Sequence, residues 1–315
     1  MEIRDYKKGD EIAILSLFEK VFKVPMSLPY WQWRFENNPA GQYFIKLMWD
    51  GDSLVGHYAV SPVYLLINNQ KCLTTLSMTT MTHPDYAGRG IFKDLAVAFY
   101  DQLENEKGVV AIWGYPNSNS HYGFIKNLGW KDLSVVHSLS MPTTSLSPKS
   151  SPNVTLVHKF TDKHVKQLSE FSQSFAITID RDLTYLNWRY VQNPSKAYRI
   201  FEYANDKNEG FVVVKIHPSA IVPDTWEIYI LELGINDISI FAELFEQIIA
   251  YYEKPISRIN IWISLWDKRH IQLEKIGFAP FGKQTFLGAR FEENTHALVG
   301  DFKNWYYSYG DSDVY

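Results

Sequence analysis

The chain has 315 residues, a length that favours two domains over one. Its 31 Lys and Arg against 35 Asp and Glu give a net charge of −4, so no basic sheath for nucleic acid is present and an anionic ligand needs a local site. Aromatic residues at 16% and charged residues at 21% exclude both a disordered chain and a membrane bundle. The first 22 residues are interrupted by Arg4, Lys7, Asp10 and Glu19, so a signal-peptide core is not expected, and no apolar run approaches a membrane span. The lone Cys72 excludes an intramolecular disulfide and any cysteine-based metal cluster. These features predict a cytoplasmic protein with no nucleic-acid or membrane partner and no metal.

In chain order, Glu2 to Tyr6 reads as a strand, and Asp10 stands where it can cap a helix whose Ile12, Leu15, Phe18 and Phe22 share a face. Ser27 and Pro29 predict a second helix that stops before Asn38-Pro39. Strands are expected from Tyr43 to Trp49 and from Leu54 to Leu66, joined through Asp50-Gly51-Asp52, and Asn68-Asn69 turns the chain into a third from Lys71 to Thr82. Phe92, Leu95, Ala96, Phe99 and Leu103 follow at helical spacing. Gly108 stops that helix, and Val109 to Tyr115 is a continuous apolar run of the buried-strand kind. A short helix ends at Gly129, before a strand from Lys131 to Leu139. The predicted order is β-α-α-β-β-β-α-β-α-β.

Pro142, Pro148 and Pro152, set among serines and threonines, read as an interdomain linker. The flanking halves share an internal repeat. The segment from Tyr30 to Pro39 returns from Tyr185 to Pro194 as Tyr-x-x-Trp-Arg-aromatic-x-x-Asn-Pro, at an offset of 155 residues. Lys126-Asn127-Leu128-Gly129-Trp130 is echoed by Glu274-Lys275-Ile276-Gly277-Phe278 at an offset of 148, so the repeat is a whole domain. The expected division is a first domain at 1–141, a linker at 142–152 and a second domain at 153–315.

The sharpest local signal is Met81-Thr82-His83-Pro84-Asp85-Tyr86-Ala87-Gly88-Arg89-Gly90-Ile91-Phe92, a strand followed by a glycine loop that opens a helix. Free amides of a first helical turn and the helix dipole favour an anion there, and glycine lets phosphate oxygens approach the backbone. A dinucleotide fingerprint needs a third glycine, and a P-loop needs Gly-Lys-Ser/Thr; both are absent.

At this point the sequence resembles the GCN5-related N-acetyltransferase (GNAT) superfamily, whose loop after the fourth strand binds the pyrophosphate of acetyl-CoA. His83, Pro84, Tyr86, Gly88, Gly90 and Ile91 match its pattern, whereas Ala87 stands where the family has Arg or Gln and Phe92 where it has Gly or Ala. The resemblance implies an α/β fold with a mixed sheet, in two tandem copies, and acetyl-CoA as cosubstrate. It assigns the cofactor to Thr80, Met81, Thr82, Ala87, Gly88, Arg89, Gly90, Ile91 and Phe92, with Asn117 and Asn119 contacting it; the alternative for these asparagines is satisfaction of a turn. The exposed strand edge would be Met78 to Thr82.

Acyl transfer to an amine needs a free nucleophile, donors for the developing oxyanion and an acid for the leaving thiolate. The family's tyrosine position is Ile125 here, so Tyr122, one turn earlier, is the candidate acid. The base is open among His57, His83, His121 and a water chain, and transfer by positioning alone is a further route. Trp33 and Arg34 are candidate acceptor walls by resemblance, against core packing; the tail is too aromatic for a discarded terminus, so its rings are expected to dock, and Asp311 and Asp313 in it are candidates to bind the acceptor ammonium or to act as the base, against a solvated end. The second half has only Gly234-Ile235-Asn236-Asp237 where the cradle would be, so it reads as a degenerate copy. The expected function is acetyl transfer to a small-molecule amine, such as an amino or nucleotide sugar. Its rivals are another acyl or aminoacyl transferase and a non-catalytic sensor.

Overall fold

The computed structural model describes residues 1–41, 44–106, 108–282, 284–292 and 296–313; Tyr43, the expected start of a strand, lies outside them. The first elements are β1 (Glu2–Asp5), α1 (Glu11–Phe22), α2 (Leu28–Trp31), β2 (Phe44–Asp50), β3 (Ser53–Ile67), β4 (Gln70–Thr82), α3 (Ile91–Glu106), β5 (Ala111–Gly114), α4 (His121–Leu128) and β6 (Lys131–Val135). Next come β7 (Ser138–Pro142), β8 (Val154–Val157), α5 (Asp162–Ser172), β9 (Ile177–Ile179), α6 (Leu183–Leu186), β10 (Arg199–Ala204), β11 (Glu209–Pro218) and β12 (Trp226–Ile235). The last are α7 (Phe241–Tyr252), β13 (Ile256–Trp262), α8 (His270–Lys275), β14 (Ala279–Pro280) and β15 (Phe286–Phe291).

Two compact units result: residues 1–134 with 192–195 and 285–302, and residues 135–191 with 196–284 and 303–315. In the first, the strands run β1-β2-β3-β4-β5-β15-β6, with β4 and β5 parallel. In the second they run β14-β7-β13-β12-β11-β10-β8, with β12 and β13 parallel. Each sheet thus contains a strand from the other half of the sequence: β15 pairs antiparallel with β5, and β7 with β13. The segment expected as one strand from Lys131 to Leu139 is two strands serving different sheets, because Leu139 and Met141 are buried in the second core. The units therefore cross the expected boundary near residue 141. Residues 142–152 are also held: Lys149 Nζ lies 2.9 Å from Glu246 Oε2, and the Ser151 amide donates to Gln247 Oε1 at 2.6 Å, both on α7.

In the first unit, Ile91, Leu95, Phe99 and Leu103 of α3 pack on one face of the sheet against Val55, Tyr58 and Val60. On the other face, Ile14, Leu17, Trp31 and Phe35 meet Leu47, Ala59, Met78 and Met81. This corrects the expected face of α1, for Ile12 is 74% exposed and Phe22 half-exposed. The helix is apolar nearly all round, so periodicity alone does not choose its buried stripe. Nor does Asp10 cap α1; it adopts helical dihedrals, and its carboxylate accepts from Arg4 at 2.6 and 2.8 Å and from the Lys7 amide at 2.7 Å.

The repeat is structural as well as sequential. Ser27 Oγ accepts the Tyr30 amide and Asp182 Oδ1 the Tyr185 amide, each capping a short helix that widens into a π turn, at Gln32–Glu36 and Asn187–Val191.

Gly56 of β3 faces α3, where a Cβ would collide with the Ile91 side chain and sit 2.9 Å from Leu95 Cδ1. Gly56→Ala should therefore destabilise the protein by about 1–3 kcal/mol, read from the urea midpoint; an unchanged midpoint would show that α3 yields without cost.

Candidate functional site

β4 and β5 are paired at Thr75–Ile112 and Leu76–Trp113, and beyond these they part. The last close approach is at Gly114, where a Cβ would sit 3.3 Å from the Ser77 carbonyl. Among the described residues, the β5-facing edge of β4 from Met78 to Thr82 has no strand partner. The strand also bulges there: its register with β3 shifts between His57 and Ala59, and Thr79 has φ of +48°. That conformation is unfavourable for a side-chain-bearing residue and must be held. His57 Nδ1, 2.7 Å from the Thr79 carbonyl, holds it. A carbonyl only accepts, so Nδ1 carries the proton and Nε2 is a bare lone pair, buried and without a partner among the described residues. Burial lowers the His57 pKa to about 4, which keeps the ring neutral.

After Thr82, His83 Nδ1 accepts the Asp85 amide at 3.2 Å, and Lys20 Nζ lies 3.0 Å from its Nε2. By accepting that amide, Nδ1 of His83 shapes the loop, and its Nε2 faces Lys20. Gly88 and Gly90 have φ of +77° and +79°, and the space a Cβ would enter at each is open. The amide of Asp94 is the first to find an acceptor in α3, on the Gly90 carbonyl at 3.0 Å, so among the described residues the amides of Ile91, Phe92 and Lys93 have no acceptor at the mouth of a 16-residue helix. Arg89 lies over the Tyr86 ring at 4.6 Å. Ala87 is exposed. The Phe92 ring packs edge-on against Tyr58 and Phe124, joining α3 to α4. The expected cradle, Thr80 to Phe92, is thus one continuous strand edge, loop and helix entrance.

The remaining expected residues divide. Asn117 Oδ1 accepts the amides of Asn119 and Ser120 at 2.9 and 3.2 Å, the turn role given as the alternative. Asn119 is exposed beside it. Tyr122 on α4 is 69% exposed, while Ile125 packs against the core. Trp33 and Arg34 are both buried, and Arg34 Nε lies 3.2 Å from Met78 Sδ on β4, immediately before the bulge.

The second unit repeats the geometry and closes it. β12 bulges at Leu231, and its pairing with β13 ends at Ile230–Ile261. The C-terminal segment lies across the opening: Tyr306, Tyr307 and Ser308 line the recess between Ile230, Leu231 and Leu233 on one side and Ile261, Trp262 and Ile263 on the other. Tyr307 Oη donates to the Ile263 carbonyl, Tyr309 stacks on Trp262 at 4.6 Å, and Arg269 donates to the Leu233 carbonyl. Gly310 fits because it lacks a side chain; a Cβ would collide with Tyr190 Oη and sit 3.0 Å from Glu232 Oε1. Asp311 is buried, 2.5 Å from Arg181 Nη2, and Arg181 Nε also bonds Glu232 at 3.0 Å. Burial raises the pKa of both carboxyls despite the guanidinium between them.

This corrects two expectations. The rings dock as expected, but the end that carries Asp311 is buried rather than solvated, and Asp311 is committed to Arg181 rather than open to an acceptor ammonium. Asp313 is exposed one residue beyond the buried Ser312. At the far end of β12, Asp237 Oδ1 accepts the Ser239 amide at 2.9 Å, placing a carboxylate at the helix entrance where the first unit has glycines. Sequence reasoning did not single out His57 as the clamp of the bulge, nor Arg181 and Glu232; a histidine in an otherwise apolar stretch of β3 and a glycine within an aromatic tail were the available signals.

A parted pair of parallel strands, a bulge and a glycine loop opening a helix define an α/β acyl-CoA N-acyltransferase fold. Residues 2–132 match the family model of the acetyltransferase (GNAT) domain. That segment is similar to GNAT acetyltransferase domains, whose chemistry is acyl transfer. No curated protein matches the chain. Similar solved structures include a GCN5-related N-acetyltransferase from Anabaena variabilis ATCC 29413, 13% identical with a TM-score of 0.68 over 92% of this chain and 72% of that one. A conserved protein of unknown function from Enterococcus faecalis V583, described as a probable N-acyltransferase, is 15% identical with a TM-score of 0.65 over 92% and 72%. A GCN5-related N-acetyltransferase from Kribbella flavida is 12% identical with a TM-score of 0.64 over 95% and 73%. At these identities the likeness is one of fold. Among the described residues, no three His, Cys, Asp or Glu side chains are arranged to hold a metal ion, and no helix is long and apolar enough to cross a membrane.

His57 also makes stability depend on pH. Its folded pKa of about 4 lies below the ordinary 6.5, so the unfolded chain binds the extra proton and stability falls as pH drops from 6.5 towards 4. In His57→Asn, which can still donate to Thr79 but does not titrate, the loss between pH 7 and pH 4.5 should shrink by about 2–3 kcal/mol. Identical acid-side slopes in urea titrations would mean that His57 is not held neutral.

Proposed function

We propose that the first unit is an acetyl-CoA-dependent N-acetyltransferase that acts on an amine of a small molecule. The observation that carries this reading is the continuity of the unpartnered β4 edge with the Gly88–Gly90 loop and the open amides of α3. A pyrophosphate fits such a helix entrance, and a pantetheine arm, which carries amides, fits a strand edge that lacks its neighbour. Amides of Met81 and Thr82 polarise the thioester carbonyl. The amine nitrogen bonds to the carbonyl carbon, the carbon–sulfur bond breaks, the nitrogen releases its proton to water, and the thiolate takes a proton from Tyr122. The neutral His57 holds the bulge in shape throughout. Ala87 lacks the side chain that relatives place on the phosphates, so binding rests on backbone donors.

Gly90→Glu should lower acetyl-CoA affinity by about tenfold or more, because a carboxylate then sits where the pyrophosphate would. Gly90→Asn, which tolerates positive φ without adding charge, is the folded control. Unchanged calorimetric affinity in a folded Gly90→Glu protein would place the donor elsewhere. Tyr122→Phe should lower kcat by about 10²–10⁴ with acetyl-CoA affinity intact, measured by thiol release. A full-speed variant would remove Tyr122 from the chemistry, and donor binding with no thiol release from any amine would favour a sensor.

A further inference from the structure

The repeat sets one arginine at the same place in each unit, and the surroundings of the two differ. In the second unit Arg189, 3% exposed, donates from Nε to the Gly310 carbonyl and from Nη2 to the Ser312 carbonyl, both at 3.1 Å, and from Nη1 to Tyr198 Oη at 2.5 Å. In the first unit Arg34, 4% exposed, has Nε on the Met78 sulfur, a weak acceptor, and its guanidinium 5.6 Å from the Trp33 ring centroid. Among the described residues neither of its terminal nitrogens meets an oxygen, and no carboxylate lies on it; Tyr43, the counterpart of Tyr198, lies outside those residues.

A guanidinium does not shed its proton, so burying one is costly unless oxygen acceptors replace the lost water. In the second unit two chain carbonyls replace it. In the first unit the corresponding place is next to Met78, one residue before the bulged Thr79. We propose that Arg34 receives the carboxylate of the acyl acceptor, and that this acceptor is a free α-amino acid. The assignment rests on the acyl-transfer reading of the first unit and names its substrate class. A carboxylate suits the site better than a neutral carbonyl because no carboxylate among the described residues lies on the guanidinium, and its planar fork matches two carboxylate oxygens. An amine carried on the adjoining carbon then lies near the bulge. In the step itself the α-nitrogen gains the acyl carbon and loses a proton, the thioester sulfur leaves and is protonated, and the carboxylate stays on Arg34 unchanged.

The test uses the intact chain and the proteinogenic amino acids, each beside its decarboxylated amine. It reads ligand-induced thermal shifts with and without acetyl-CoA, and thiol release. At least one amino acid should bind and be acetylated while its decarboxylated amine is not, and Arg34→Gln should raise KM for it by about 10- to 100-fold with kcat and acetyl-CoA affinity little changed. Arg34→Lys, which keeps the charge without the fork, should recover part of the loss. Equal use of the decarboxylated amines, no binding by any amino acid, or an unchanged KM in Arg34→Gln would overturn the proposal. Failure of the donor reading is visible separately, as absence of acetyl-CoA binding by the unaltered chain, and amino-acid binding without donor still decides the role of Arg34.

Discussion

When two parallel strands part, the peptide groups on their facing edges lose their ladder, and each must find another partner or remain open to one. Both units meet this constraint at the same step of the sheet, after Leu76–Trp113 in the first and after Ile230–Ile261 in the second. They answer it differently. In the second, Tyr307 and Arg269 supply contacts from the chain itself. In the first, His57 takes one carbonyl to hold the bulge, and among the described residues the edge beyond has no strand partner.

From that difference the rest follows in order. An open edge needs a donor with amides along its length and an anion at its end, and the loop of Gly88 and Gly90 opens where the edge ends. A closed edge needs a tail that fits, which explains the aromatic residues around Gly310 and the burial of Asp311 beside Arg181. The buried arginines extend the contrast, since Arg189 is saturated by the tail while Arg34 is not. On the proposed function, the second unit is the first with its ligand sites occupied by protein.

Much of this was legible in the sequence, for physical reasons that vary by element. Caps such as Ser27, the Asn68-Asn69 turn and the helix of Leu95, Phe99 and Leu103 are local, and local chemistry fixes them. The glycine loop was legible because positive φ favours glycine, and two stand close together before a helix. The stripe of α1 was not, because Ile12 and Ile14 are alike in composition and only the sheet chooses between them. The placement of β7 and β15 in sheets of the opposite sequence half was hidden for a similar reason: strand partners are long-range, and a short apolar strand such as Leu139 to Met141 fits either edge. The roles of His57 and Asp311 depend on groups far away in the chain, Thr79 and Arg181, and no spacing rule reaches them.

The central claim is that one unit is open to an acyl-CoA and the other is filled by its own chain. Isothermal titration of the intact chain with acetyl-CoA tests it most directly. The account predicts one equivalent bound per chain; two equivalents would show that the tail does not close the second unit and would contradict the division between them.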